Sequence, residues 1–320
     1  MHRAGRILTT VTAVDTPLTL HTALTSWRVD PATLIVIAVV ALAYAFTWRR
    51  SSLPGYRAAL FGVLGCGFWM LASCSFVGVY GDVLFWVRAL QFVLILMVAP
   101  FGLALGMPLT ALRQSLGEAG RSRFDGVLRS RAAHVLASPV TTSAGLLALP
   151  WLIYLSGWYP ALLKHDVVDV LTRILLVVIG FGYFYARLQL DPVPRRYSQG
   201  VTLFASLAET LGDGVLGVVI WQGPLIAAQF YTALGRGWGP SIRTDQTIGA
   251  GVFWILGDAV GLPFLMAVFA RFRADERVRE VAVDAELDRA TVLSPKPDDD
   301  GQAAPTLWWQ ADPQIRERFR

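Results

Sequence analysis

The chain has 320 residues, of which 54% are hydrophobic and only 16% are charged, and its mean hydropathy is +0.50. A soluble domain usually carries about 25% charged residues, so this composition excludes an ordinary soluble domain and indicates a membrane protein with several spans. The basic pI, near 9.5, comes almost entirely from arginines in short loops between apolar runs, which indicates membrane topology rather than nucleic acid binding.

The apolar runs predict the architecture. A helix needs about 20 mostly apolar residues to cross a bilayer, and seven segments qualify: 32–48, 58–80, 83–106, 139–157, 167–188, 200–221 and 247–270. They predict an all-α, polytopic bundle of about seven transmembrane helices within residues 32–270. Residues 1–31 are predicted to form an extracytoplasmic segment, and residues 271–320 a cytosolic charged helix, a linker and a Trp/Arg tail.

The loop charges predict the orientation of this bundle. Most basic residues follow the first, third, fifth and seventh predicted spans. Because cytoplasmic loops are enriched in Lys and Arg, the N-terminus is predicted to lie outside and the C-terminus in the cytoplasm. The predicted location is the inner membrane of a bacterial cell, with the lipid bilayer as one partner.

Charged side chains inside the membrane are rare and costly, so each one is a candidate functional residue. Six of them are candidates here: Arg88, Asp169, Arg173, Glu209, Asp213 and Asp258. Arg187, next to the end of the fifth predicted span, is counted with the loop that follows. Asp169 and Arg173 are four residues apart and can pair on one helix face, and Glu209 and Asp213 share a face in the same way. We expect Arg88, beside Gln91, to join these carboxylates in one network of spans three, five and six. That network has either a functional role or only a structural one.

A stripe of soft ligands is the one candidate metal site. Cys66, Met70 and Cys74 recur at every fourth residue in "CGFWMLASC", and thiolate and thioether sulfur suit Cu(I). The same residue types are also ordinary apolar packing groups. The four histidines all lie outside the predicted spans, and the sequence contains no His or Cys pair with metal-binding spacing.

Several short motifs carry a family resemblance: "VAPFGLALGMP" with Pro100 and Pro108, "ASPV" at 137–140, "LDPVPRR" with Asp191 and Pro192, "DQTIGAGVFW" with Asp245, Gln246 and Trp254, and the terminal "WWQADPQIRERFR". In this order they resemble the CtaG family of cytochrome c oxidase assembly factors, the seven-span type of Gram-positive bacteria. The resemblance implies a factor that matures haem-copper oxidase without catalysing a reaction, with oxidase subunits or other assembly factors as partners.

The chain departs from this family at the residues expected to handle copper. Family members typically carry a His-Met-x-Gln-His-Met run in span three and a pair of histidines opening span five. In register, those four histidine positions fall on Arg88, Phe92, Asp169 and Arg173, while the glutamine is retained as Gln91. A guanidinium is a permanent cation without a lone pair for a metal. The resemblance therefore implies a scaffold or partner-binding variant with an ionic cluster where the copper site was.

Two other functions stay open at the level of sequence. Cu(I) handling would run through Cys66, Met70 and Cys74 instead of imidazoles, so copper remains a possible cofactor. A small transporter would line a polar path with Arg88, the carboxylates of span six and Asp258. Against a transporter, the sequence shows no duplicated halves with broken helices.

Overall fold

The structure of the chain is a computed structural model that describes residues 13–194 and 199–255, with scattered residues beyond. The chain divides into two compact units, Met1–Phe269 and Ala270–Arg320. Every regular element in the described part is a helix. Much of the predicted span 247–270, with Asp258, lies outside the described residues, and so do the Trp/Arg tail and the side chain of Asp213.

The helices follow one another with short connections. In chain order they are α1 (Leu20–Thr25), α2 (Pro31–Trp48), α3 (Gly55–Cys74), α4 (Phe76–Tyr80), α5 (Phe85–Val93), α6 (Ala99–Leu105), α7 (Pro108–Ser115), α8 (Glu118–Leu128), α9 (Arg131–Leu136), α10 (Pro139–Leu155), α11 (Trp158–Lys164), α12 (Asp166–Leu188), α13 (Gln199–Gln222) and α14 (Ala228–Ala233). A further helical segment covers 242–255. Two π-helical stretches, Leu60–Gly67 within α3 and Leu94–Val98 between α5 and α6, interrupt the regular α geometry.

Four helices in the described part are long and apolar enough to cross a membrane: Pro31–Trp48, Gly55–Cys74, Phe85–Ser115 and Asp166–Leu188. The pair α10 and α11, bent by 72°, makes a fifth if it forms one broken span. The prediction of an all-helical protein with several membrane spans is confirmed. The count of seven spans and the orientation of the termini stay predictions.

Local sequence explains where the membrane helices begin. Asp30 caps α2 by accepting a hydrogen bond from the Thr33 N–H at 3.2 Å, and Pro31 occupies the first turn, where its missing N–H costs nothing. Ser138 and Pro139 open α10 in the same manner. These caps supply partners for backbone groups that a bilayer cannot satisfy.

Glycines allow two pairs of spans to approach closely. A Cβ at Gly102 would lie 2.4 Å from the Gly65 backbone nitrogen, which brings α6 against α3. A Cβ at Gly180 in α12 would lie 2.0 Å from the Leu96 carbonyl oxygen in the third span. These contacts fix the distance between the third and fifth spans, which carry the charged residues described below.

Substituting Gly180→Ala tests this close approach. We expect the variant to lose about 1–3 kcal/mol of unfolding free energy, because the added methyl group forces the backbones of α12 and the third span apart. Gly182→Ala is the matched control, since a Cβ there meets nothing within 4 Å. Thermal unfolding of the purified protein in detergent compares the two variants, and equal stability would contradict the packing described here.

Candidate functional site

A chain of ion pairs crosses the interior at one end of the bundle. Three arginines and three aspartates alternate along it, in the order Arg28, Asp82, Arg88, Asp169, Arg173 and Asp30. All six side chains are buried, with at most 7% of any one exposed. Because the charges balance, this ion chain is neutral as a whole, which is the condition under which buried charges are tolerated.

Arg88 lies at the centre of the ion chain. Its Nη2 is 3.1 Å from an oxygen of Asp82 and 3.1 Å from Oδ1 of Asp169. Its Nη1 donates a hydrogen bond to Oε1 of Gln91 at 2.6 Å, and the Gln91 amide in turn donates to the Ala72 carbonyl at 2.7 Å. Arg88 and Gln91 are therefore held by groups from the second, third and fifth spans and from the turn between the second and third.

The two ends of the ion chain come from the segment that precedes α2. Arg173 bridges Asp169, at 3.3 Å, and Asp30, at 2.6 Å, while Arg28 lies 3.2 Å from Asp82. Burial raises the pKa of Asp30, but the charge of Arg173 and the hydrogen bonds from Thr33 and Arg173 outweigh it, so the net pKa lies below 3.8. Asp30 is thus held ionised. The ion chain ties the N-terminal segment to the third and fifth spans.

The structure differs from the expected charge network at Glu209 and adds three residues to the rest of it. Arg88, Asp169 and Arg173 come together, but Glu209 pairs with Arg187 and not with Arg88, so the expected single network is wrong for Glu209. Arg187 lies about five turns, or about 27 Å, further along α12 than Asp169. Asp82, Arg28 and Asp30 are not expected from the sequence, because all three lie outside the predicted spans.

The second charged site, around Glu209, is compact. Tyr183 donates a hydrogen bond to Oε2 of Glu209 at 2.6 Å, and Arg187, which pairs with Oε1, also donates to the Ser143 hydroxyl at 2.6 Å. The Arg187 guanidinium stacks on the Tyr183 ring, 4.4 Å from its centroid. This site links α10, α12 and α13.

Asp191 and Asp245 cap helices that are distant in sequence. Asp191 accepts hydrogen bonds from the N–H groups of Leu109 and Thr110 at the start of α7, at 3.3 and 2.8 Å. Asp245 accepts from the N–H groups of Phe85 and Trp86 at the start of α5, at 3.1 and 3.0 Å. Asp191 precedes a proline and Asp245 lies near a helix start, which are positions typical of local turn and cap chemistry. In fact each joins segments 81 or more residues apart.

The other motif residues shape helix ends. Gln246 accepts a hydrogen bond from the Ile226 N–H and donates to the carbonyls of Ile220 and Pro224, so it closes the turn after α13. The Pro192 carbonyl accepts a hydrogen bond from Tyr185. Pro108 occupies the first turn of α7, Pro100 lies beside Gly180, and Trp254 packs along Gly217 while 49% exposed.

Replacing Asp191 tests its capping role. Burial is the largest influence on the Asp191 carboxyl and raises its pKa above 3.8, so the hydrogen bonds to α7 are made by a carboxyl group in a partly dehydrated site. Asp191→Ala is expected to cost about 0.5–2 kcal/mol of unfolding free energy, and Asp191→Asn much less, because asparagine also caps helices. Thermal unfolding measures both variants, and an equal loss in the two would contradict capping.

Copper does not fit the residues at the ion chain. Its three cations have no lone pair to offer, and each of its three carboxylates is ion-paired with an arginine. Within residues 13–194 and 199–255, no group of three or more His, Cys, Asp or Glu is placed to hold a metal ion.

The Cys and Met stripe is divided in the structure. Met70 and Cys74 line a hollow of about 270 Å³ together with Trp27, Arg28, Val29 and Leu34. Cys66 is buried in the π-helical stretch of α3 and packs in the main core instead. The hollow therefore offers two sulfur atoms rather than three.

Fold and site together define a multi-span helical membrane protein in which the charges of the ion chain and of the Glu209 site are ion-paired in the interior. The chain belongs to the cytochrome c oxidase caa3 assembly factor family, whose model matches residues 16–275. The family resemblance is thereby confirmed, and family membership suggests a role other than catalysis.

Mycobacterial proteins are among the relatives. Proteins described as uncharacterised in Mycobacterium bovis and Mycobacterium tuberculosis are each 27% identical over 279 residues, covering 82% of this chain and 42% of theirs. One from Mycobacterium leprae is 26% identical over 267 residues, covering 79% of this chain and 40% of its own. The chain thus spans about two fifths of the length of these relatives. No solved structure matches the chain.

Proposed function

We propose that the chain is a scaffold for the maturation of haem-copper cytochrome c oxidase in a bacterial inner membrane. It binds an oxidase subunit or another assembly factor and catalyses no reaction. The observation that carries this proposal is that three members of the ion chain, Arg88, Asp169 and Arg173, stand at positions where the family resemblance implies copper-binding histidines.

The electrostatics of these positions support a scaffold over a copper carrier. A metal cation entering beside Arg88 would meet a fixed positive charge and two carboxylates already bound to arginine. Removing one partner of a buried ion pair leaves an uncompensated charge, which is costly. The ion pairs around Arg88 are therefore expected to stay intact rather than open to admit a metal ion.

The same burial argues against a transporter. A polar path for a solute needs its lining groups to meet water, and these six side chains are at most 7% exposed. Their role is to hold the segment before α2 against the third and fifth spans, since Arg28 and Asp30 form the two ends of the ion chain. In the predicted orientation this fixed segment faces outward and offers a rigid surface to a partner.

A deletion strain tests the proposed function. We expect loss of assembled oxidase that added copper does not restore and that a plasmid copy of the chain does restore. Assembled oxidase is measured by its haem absorbance in membranes. Restoration by copper alone would indicate copper delivery, and normal oxidase without the chain would contradict a role in assembly.

A second candidate, Cu(I) handling, is favoured only by the hollow that Met70 and Cys74 line. It predicts that Met70→Leu/Cys74→Ser, which removes both sulfur atoms of the hollow, abolishes complementation of the deletion strain. The scaffold proposal predicts that this double variant still complements.

A further inference from the structure

One face of the bundle carries many exposed arginines. They come from the loop after α2 and from α8, α9 and their connection, and we call them the arginine surface: Arg49, Arg50, Arg121, Arg123, Arg129 and Arg131. All six are exposed, and the acidic groups on α8 are only Glu118 and Asp125. The surface therefore carries a net positive charge.

Hydrogen bonds bring these segments to the same face. The Ser52 N–H donates to Oε1 of Gln114 in α7 at 2.9 Å, which places the loop after α2 beside α7. Arg113 in α7 makes a bidentate ion pair with Asp125 in α8, at 2.8 and 2.9 Å, which holds α8 against α7. The arginines are thus assembled by the fold and are not merely close in sequence.

Exposed apolar side chains lie among the arginines. Val127 in α8 is 68% exposed, and Val135 and Leu136 in α9 are 60% and 68% exposed. Only Ala137 and Ser138 separate Leu136 from Pro139, where α10 begins, so α9 lies within roughly 10 Å of the start of a membrane helix. Arg50 folds back over the Phe46 ring, with its guanidinium carbon 4.1 Å from the centroid. This is the posture of a side chain at a membrane boundary.

A hollow of about 270 Å³ opens within this region. Its lining includes the charged residues Arg113, Asp125 and Arg129, together with Leu128 and residues 192–194. Because the Asp125 carboxylate is held by Arg113, the lining combines the cation of Arg129 with apolar side chains. This pairing matches a molecule with an anionic head and hydrocarbon tails.

We propose that the arginine surface binds anionic phospholipid, with the headgroup phosphate at Arg129 and Arg131 and the acyl chains along Val135 and Leu136. Short amphipathic helices with basic and apolar faces lie in the membrane interface, and arginines near such a surface are attracted to anionic lipids. A nucleic acid would leave the exposed apolar residues without a partner. This inference goes beyond the proposed function and does not depend on it.

Lipid titration of the full chain tests the inference. The detergent-purified protein is titrated with phosphatidylglycerol or with phosphatidylcholine of the same acyl chains, and bound lipids are counted by native mass spectrometry. We expect tighter binding of phosphatidylglycerol. Arg129→Gln/Arg131→Gln should weaken it about 25-fold, or about fivefold per arginine, with phosphatidylcholine binding unchanged.

Three controls make the test decisive. Arg129→Lys/Arg131→Lys keeps the charge and should retain most of the affinity, and Arg243→Gln, outside the arginine surface, should retain all of it. An unchanged thermal unfolding temperature shows that each variant is folded. Equal binding of the two lipids by the unsubstituted chain, full affinity in the glutamine variant, or displacement of phosphatidylglycerol by inorganic phosphate would each overturn the inference.

Discussion

Arg88→Met is expected to lower the free energy of unfolding by about 3–5 kcal/mol. The substitution removes the central cation of the ion chain and leaves Asp82 and Asp169 sharing one fewer positive charge in a buried site. It also removes the donor to Gln91. Thermal unfolding in detergent and the yield of folded protein measure the loss, which we expect to be among the largest of any single substitution.

A double variant distinguishes an ion chain from simple packing. In Arg88→Met/Asp169→Asn, the remaining charges form two neutral pairs, Arg28 with Asp82 and Arg173 with Asp30. We expect this double variant to be more stable than Arg88→Met alone. If the two substitutions instead add their separate losses, the neutral-chain account of the site is wrong.

Glu209→Ala is the second substitution with a large expected effect. It leaves Arg187 buried without its carboxylate and removes the acceptor of the Tyr183 hydroxyl. We expect a loss of about 3–5 kcal/mol in unfolding free energy, measured by the same thermal unfolding. Tyr183→Phe is a control that removes one hydrogen bond but no charge, and it should cost only about 0.5–1.5 kcal/mol.

The two charged sites should behave independently. They lie about 27 Å apart along α12, and effects of such distant substitutions add within about 0.5 kcal/mol. The comparison uses the milder substitutions Arg88→Lys and Glu209→Gln, alone and combined, which we expect to leave enough folded protein for thermal unfolding. A larger coupling energy would favour the single network that the sequence suggested.

The contact of Arg88, Asp169 and Arg173 was predictable because it needs only helix spacing and the requirement that a buried charge have a partner. Asp169 and Arg173 are one helical turn apart, and a buried guanidinium requires a carboxylate. The partner of Glu209 does not follow from charge alone, because the depth of a residue along its helix decides which charges can meet. Glu209, in the first half of α13, lies beside the end of α12, where Arg187 is.

The remaining contacts have no signature in one sequence. Asp82 and Arg28 read as loop residues, and only the fold shows that this turn and the segment before α2 enter the interior. Asp245 looks like a cap for its own helix, yet it caps α5, which starts 160 residues earlier. Such pairings depend on which spans are neighbours, and hydropathy says nothing about that.

Copper content tests the central claim most directly. The purified chain and a family member with histidines at the positions of Arg88, Phe92, Asp169 and Arg173 are loaded with Cu(I), freed of excess metal, and analysed for bound copper. The ion chain account predicts background copper in this chain and retained copper in the histidine-bearing member. One Cu(I) held per molecule of this chain would contradict it.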